Sequence, residues 1–183
     1  MLDQQLFDSP PDAMMFGLRF TSQQYAQSEL AKLQKRTGRS SEKGLVGLDG
    51  AAVAGSIKRR LADLDKQQLA CIVARYSARV ESCPCCENTR MLDEYKESIL
   101  VLVEWARQFV SGDNTVQRVL FAIVQEYYER RRNLSDVAKS LNIPKRTAYD
   151  QKDRIWPHLA QLDKNAQTVA DSLLADLCES VSA

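Results

Sequence analysis

The sequence predicts an all-α protein, a helical bundle that ends in a helix-turn-helix. Beyond residue 50, apolar residues recur at the three- and four-residue spacing of amphipathic helices, and no segment alternates as a half-buried strand does. A run near residue 140 also carries the residue types of a tight turn between two helices. The 183 residues are enough for one medium domain or two small ones with real cores.

The chain is divided into four segments by composition and periodicity. The first segment mixes prolines, glycines and paired methionines without a clean period, so we expect a loose arm, a short polar helix over 21–35 and a glycine-rich linker over 37–50. The segments are a flexible N-terminal arm and linker (1–50), a helical body with a cysteine loop (51–114), a helix-turn-helix unit (115–159) and a C-terminal helix (160–183).

Four helices are predicted between residue 51 and the helix-turn-helix. Asp65 suits the N-cap of the second because its carboxylate can accept from the exposed amides of a helix start. A loop is expected over 82–90. The predicted ranges and inward residues are 51–64 (Ala54, Ile57, Leu61, Leu64), a helix after Asp65 (Leu69, Ile72, Val73, Tyr76), 91–110 (Tyr95, Ile99, Leu102, Val103, Ala106, Val110) and 115–130 (Val119, Leu120, Ile123, Val124, Tyr127).

Residues 134–155, LSDVAKSLNIPKRTAYDQKDRI, have the pattern of a helix-turn-helix. Ser135 or Asp136 can cap the first helix. Ala138 leaves room for a close helix crossing, Asn142 tolerates a left-handed turn, and Pro144 opens the second helix, where its missing amide costs no bond. Ala148 and Ile155 then face inward. The side chains left on or near the outer face of this second helix are Lys145, Arg146, Thr147, Tyr149 and Lys152.

These outer residues have the chemistry of a major-groove reader. Arg or Lys can bond guanine, Thr can contact a thymine methyl group, and cations can hold phosphate. The net charge of the whole chain is only +1, but residues 129–154 carry eight basic and four acidic side chains, a local excess of +4. Two other interpretations stay open, namely a hairpin that only packs and a unit that docks on a protein such as RNA polymerase.

Trp156-Pro157 is expected to break the chain before a final helix that runs to about Cys178. Its apolar residues follow the three- and four-residue spacing of a short coiled-coil seam. Such a seam can fold back on its own domain or form a homodimer, and a two-fold dimer would suit palindromic DNA half-sites. The seam residues are Leu159, Leu162, Ala166, Val169 and Leu173.

The cysteines suggest a metal site. Cys83, Cys85 and Cys86 crowd one loop, and Cys71 on the preceding helix could complete the four ligands of a structural zinc. The spacing is C-x-C-C rather than C-x-x-C, so ordinary reduced thiols in a turn shaped by Pro84, or a redox sensor, remain alternatives.

Catalysis is not expected. The chain has one histidine, no Ser/His/Asp arrangement and no phosphate-cradling glycine loop, so we predict that it is not an enzyme. It has no apolar run of membrane-spanning length and begins with an acidic, polar stretch rather than a signal peptide. We therefore expect no membrane partner and a location in the cytoplasm, at the nucleoid or in a phage host, with reduced thiols.

Residues 115–159, TVQRVLFAIVQEYYERRRNLSDVAKSLNIPKRTAYDQKDRIWPHL, resemble region 4 of bacterial sigma factors. The layout of a helical body, a CPCC loop and this unit is similar to phage and prophage regulators, including Q-type late antiterminators. The resemblance implies binding beside a late promoter and loading onto a paused RNA polymerase. It implies base-reading by Lys145, Arg146 and Thr147. Phosphate contacts would come from Arg130, Arg131, Arg132, Lys139 and Lys152.

The sequence features are therefore consistent with three functions. The first is a sequence-specific transcription regulator on double-stranded DNA, most concretely a phage late-gene antiterminator. The second is a promoter-bound activator or repressor that does not travel with polymerase. The third is an adaptor that docks on polymerase and does not read DNA.

Overall fold

The computed structural model describes residues 6–20, 48–82, 85–86, 88–110, 117–130 and 134–178. Within these ranges the chain is mostly helical, which confirms the predicted all-α class. The exception there is an antiparallel hairpin, in which β1 (Val80–Ser82) pairs with β2 (Thr89–Met91). The expectation of a plain loop was wrong because three-residue strands are too short to show alternation in the sequence.

The chain divides into two compact units, Met1–Leu64 with Val169–Ala183, and Asp65–Thr168. The boundaries suggested by the sequence after residues 50 and 159 both fall inside helices. The predicted helix over 21–35 and nearly all of the linker over 37–50 lie outside the described residues, as does the predicted turn over 111–114.

Helix α1 (Pro10–Arg19) belongs to the first unit and replaces part of the expected flexible arm. The Ser9 hydroxyl accepts from the Asp12 amide at 3.4 Å, and the two prolines at 10 and 11 occupy the first turn, where a missing amide costs no bond. The prolines and acidic residues at its start make the apolar stripe of this helix hard to recognise in the sequence. Its buried members are Ala13, Met14, Gly17 and Leu18.

Helix α2 (Leu48–Leu61) packs against α1 at a glycine. A Cβ atom on Gly17 would lie 2.5 Å from Cγ2 of Ile57, so only glycine permits this approach. Arg60 on α2 makes a two-bonded ion pair with Asp176, whose 3-10 turn (Ala175–Leu177) follows the last helix of the chain. The predicted inward face is confirmed, since its four residues are buried: Ala54, Ile57, Leu61 and Leu64.

The second unit contains α3 (Lys66–Tyr76), the hairpin, α4 (Asp93–Ala106) with a 3-10 turn (Arg107–Phe109), α5 (Gln117–Glu129), α6 (Leu134–Ser140) and the first part of α7 (Lys145–Leu174). Asp65 is the N-cap of α3, as predicted, and the structure adds a capping box in which the Asp65 amide donates to Gln68 Oε1 at 3.3 Å. Helix α4 packs against α3 and α5. Five of its predicted core residues are buried, and the sixth, Val110, follows the 3-10 turn and is half-buried; the buried five are Tyr95, Ile99, Leu102, Val103 and Ala106.

The inward face of α5 is confirmed except at its end. Val119, Leu120, Ile123 and Val124 are buried, but the buried tyrosine is Tyr128 rather than the predicted Tyr127. Tyr127 is half-buried.

Helix α7 is continuous from Lys145 to Leu174, so the predicted break at Trp156-Pro157 is wrong. Proline removes one helical hydrogen bond, and because Pro157 and Asp153 are both exposed, water can reach the carbonyl that loses its donor.

The apolar seam of α7 also differs from the predicted heptad. Val169 is 38% exposed, and Leu162 and Leu173 are only half-buried. A helix repeats every 3.6 residues, so the buried stripe drifts away from a strict seven-residue repeat. The buried positions are Leu159, Asp163, Ala166, Ala170 and Leu174.

Candidate nucleic-acid interface

The turn between α6 and α7 is built by local hydrogen bonds. Asn142 has a φ of 53°, the left-handed conformation that the sequence predicted for it. The Ile143 amide donates to the Ala138 carbonyl at 2.9 Å and the Asn142 amide to the Lys139 carbonyl at 3.2 Å. These two bonds form a Schellman motif, which ends a helix by satisfying its last carbonyls. The carbonyl of Pro144 then accepts from Ala148 at 3.3 Å and starts α7.

The inner side of this turn is tightly packed. Leu134, Ala138, Ala148 and Ile155 have no exposed surface, so the two alanines and Ile155 occupy the buried positions predicted for them. Helix α6 packs against α5, which completes a three-helix unit with the start of α7. Ser135 and Asp136 lie in the first turn of α6 rather than before it, so the N-cap expected there is displaced.

The first turns of α7, residues 145–155, are here called the recognition helix, after the role predicted for them. Lys145, Arg146 and Thr147 are exposed, and Tyr149 is 39% exposed. Arg146 lies 3.9 Å from Asp150 in an exposed pair one turn apart, which is too weak to hold the guanidinium away from a ligand. Four of the five predicted outer residues are therefore accessible.

Two of the predicted phosphate ligands are exposed outside the recognition helix. Lys139 at the end of α6 is exposed, and so is Arg130, which follows α5 with a φ of 56°. That left-handed residue ends α5 in the way that glycine more often does. Arg131 and Arg132 lie outside the described residues. Arg154 is a further exposed cation of the recognition helix that the sequence analysis did not select.

Lys152 is placed differently from the other predicted outer residues. Its Nζ donates to Oε1 of Glu126 at 2.7 Å, and the two side chains are 14% and 6% exposed. The ammonium also lies 4.1 Å from the ring centroid of Trp156. The sequence contained the signal, because position 152 is four residues after Ala148 and three before Ile155, on the buried stripe of the helix.

A second buried charge, missed by the sequence analysis, lies three turns further along α7. Asp163 is 3% exposed, and its carboxylate accepts two bonds from Arg75 on α3. Two further donors reach the same carboxylate. Gln167 Nε2 donates to it at 2.9 Å, and the Tyr127 hydroxyl donates to it at 3.4 Å. These contacts join α3, α5 and α7 with side chains rather than with apolar packing alone. Positions 152 and 163 are eleven residues apart and so lie on the same side of the helix.

The zinc prediction receives no support from Cys71. Burial raises the pKa of its thiol to about 12, and the thiol lies beside the buried hydroxyl of Tyr128. Zinc binds thiolates, so this buried thiol would have to lose its proton to become a ligand. Cys85 and Cys86 are exposed at the turn of the hairpin, and Cys83 lies outside the described residues. Among the described residues, no group of three or more His, Cys, Asp or Glu side chains is placed to hold a metal ion.

His158 has a packing role in the second unit. Its ring stacks on Phe109 with centroids 4.0 Å apart and planes 10° apart, and Phe109 makes an edge contact with Trp105. Through this stack, the 3-10 turn after α4 packs against α7.

Comparison with protein-family models, with curated proteins and with solved structures finds no match to this chain. Across the described ranges, no helix is both long enough and apolar enough to span a membrane.

Proposed function

We propose that this protein is a transcription regulator that binds double-stranded DNA in a sequence-specific manner through its helix-turn-helix. The proposal rests chiefly on one observation, the exposed face of Lys145, Arg146, Thr147 and Tyr149 at the start of a helix whose opposite side is fully buried. A helix fits the major groove, and side chains near its N-terminus are the ones that reach base edges.

The charges around this face suit a phosphate backbone on each side of the groove. Arg130, Lys139 and Arg154 are exposed in addition to the predicted base-reading residues. Asp150 and Asp153 are also exposed and reduce the local excess of positive charge. Electrostatic attraction alone therefore gives only modest affinity for DNA of arbitrary sequence. Specific contacts must then supply much of the affinity, which is the behaviour of a regulator rather than of a general DNA-coating protein.

The more specific form of the proposal is a late-gene antiterminator that acts on RNA polymerase near a promoter. It draws on the likeness of residues 115–159 to sigma region 4. An activator or repressor that stays at its promoter needs the same DNA contacts. Both differ from an adaptor that docks on polymerase only, because the adaptor does not depend on the base-reading residues for DNA affinity.

The proposal is tested by measuring the affinity of variants for a duplex selected by the wild-type protein, across a range of salt concentrations. Arg146→Ala should lose about 1–3 kcal/mol of binding free energy and relax the preference at one base pair. Lys139→Ala should weaken binding to all duplexes alike and reduce the slope of log K against log salt by about one unit.

The two variants control for each other, since both remove an exposed cation but only one is assigned to a base. If both bind every duplex as the wild type does, groove reading by this face is wrong. The adaptor interpretation would then be favoured, and binding to polymerase would be the property to measure.

A further inference from the structure

Lys152 differs from the other cations of the recognition helix because its charge is already compensated. Its side chain is 14% exposed, whereas that of Arg146 is 93% exposed. A phosphate oxygen can approach Arg146 directly. The Lys152 ammonium has little open surface while it is bonded to Glu126, so a phosphate oxygen gains full access to it only if that bond opens.

Opening that bond would leave Glu126 in a poor environment. The carboxylate is 6% exposed, and its second oxygen, Oε2, is buried with no hydrogen-bond partner among the described residues. A buried carboxylate that loses its one counter-charge is strongly destabilised. Lys152 therefore stays with Glu126 when the outer face of the helix meets a ligand.

The Lys152 ammonium also lies between two aromatic rings. Trp156 is fixed to α5, because its indole Nε1 donates to the Ile123 carbonyl at 3.5 Å. The ammonium is 4.1 Å from the Trp156 ring centroid and 5.4 Å from that of Tyr149. Attraction between a cation and an aromatic face favours these ring positions. Tyr149 is the more exposed of the two and stands on the recognition helix one turn before Lys152.

We propose that Lys152 is a positioning residue that, held by Glu126, orients the Tyr149 ring to contact a thymine methyl group in the major groove. An exposed tyrosine ring on a recognition helix offers apolar surface to that methyl group, which distinguishes thymine from cytosine and purines. Lys152 itself makes no contact with the DNA backbone. This inference rests on the proposed DNA-binding function and assigns a base to one of its residues.

The test replaces thymine by uracil, one position at a time, in the duplex selected by the wild-type protein. Uracil lacks only the 5-methyl group, so the substitution isolates the contact. We expect one position at which the wild type loses about fourfold in affinity, the equivalent of about one buried methyl group. Tyr149→Ala should bind the thymine and uracil duplexes equally at that position.

The variants of Lys152 separate positioning from phosphate binding. Lys152→Met alone leaves Glu126 unpaired and can unfold the unit, so the double variant Glu126→Gln/Lys152→Met carries the test. We expect it to lose the thymine preference while its salt slope remains that of the wild type. Lys152→Arg keeps the cation over both rings and should retain the preference.

Two results overturn the inference. One is a salt slope that falls by about one unit in the double variant, because that is the signature of a lost phosphate contact. The other is a thymine preference that is absent in the wild type or persists in the double variant. A wild-type protein that selects no sequence at all contradicts the proposed function itself, which distinguishes that failure from failure at Lys152.

Discussion

Alkaline pH should destabilise the second unit, and the Cys71 thiol should account for a measurable part of the loss. Burial raises the pKa of this thiol to about 12, whereas a thiol in an unfolded chain ionises near pH 8.5, roughly. Between these values the unfolded chain has released a proton that the folded chain keeps. The free energy of unfolding therefore falls by about 1.4 kcal/mol per pH unit in that range.

This contribution is fully present below the unfolded pKa and declines as the pH rises. From about pH 8.5 to about pH 10.5 the thiol alone should remove about 2 kcal/mol. Burial also raises the pKa of Tyr128, which adds to the loss at higher pH. The difference between wild type and Cys71→Ala isolates most of the thiol contribution.

The assay is urea unfolding followed by tryptophan fluorescence at several pH values. Trp105 and Trp156 both belong to the second unit, so the signal reports on the unit that contains Cys71. We expect Cys71→Ala to depend less steeply on pH than the wild type. Cys86→Ala is the matched control, because Cys86 is exposed, and it should follow the wild type.

Equal pH dependence in wild type and Cys71→Ala would refute this account of the thiol. A zinc-bound thiolate would give the opposite trend, with stability lost on acidification as protons displace the metal. The same titration therefore decides between a packed thiol and the predicted ligand.

Two further predictions concern packing and buried charge. Gly17→Ala should lower the free energy of unfolding by about 1–3 kcal/mol, because the new Cβ would meet Ile57. Gly55→Ala should raise it by up to about 1 kcal/mol, because among the described residues no packing neighbour lies within 4 Å of its Cβ. Hydrogen exchange of α2 measures both, and equal protection in the two variants would contradict the close contact. Asp163→Asn should lower the free energy of unfolding by about 1–3 kcal/mol. The loss should be smaller than for a fully buried ion pair, because the Arg75 side chain is 35% exposed. Tryptophan fluorescence during urea unfolding measures this cost, and an unchanged midpoint would show that the ion pair does not support the unit.

The helix-turn-helix geometry could be predicted because its determinants are local. Asn142 takes the left-handed conformation, Ala138 and Ala148 are fully buried, and Pro144 stands where no amide is needed. Each requirement is set by neighbours within a few residues. A single sequence therefore contains them in full.

The polar contacts of α7 could not be predicted in the same way. Lys152 and Asp163 occupy buried positions of an otherwise apolar stripe, and each is accommodated by a partner far away in the sequence, Glu126 and Arg75. The place of Lys152 between Ala148 and Ile155 indicates a buried position, but only the structure shows that Glu126 is its partner. The predicted break at Pro157 concealed that the same stripe continues to Asp163.

The first helix was missed for a different reason. Its apolar stripe is short, and Gly17 and the two prolines at its start resemble loop residues when taken one by one. In the structure, the prolines begin the helix and the glycine admits Ile57. The role of Gly17 depends on its packing partner Ile57, which lies in another helix and far away in the sequence.

The proposal of sequence-specific DNA binding is tested most directly by selecting bound fragments from the source genome with the purified full-length protein, with and without RNA polymerase. The account predicts that the protein alone enriches a discrete motif beside a promoter, and that Arg146→Ala weakens this enrichment while leaving the fold intact. Enrichment only in the presence of polymerase, unchanged by Arg146→Ala, would contradict it and would identify a polymerase-docking factor instead.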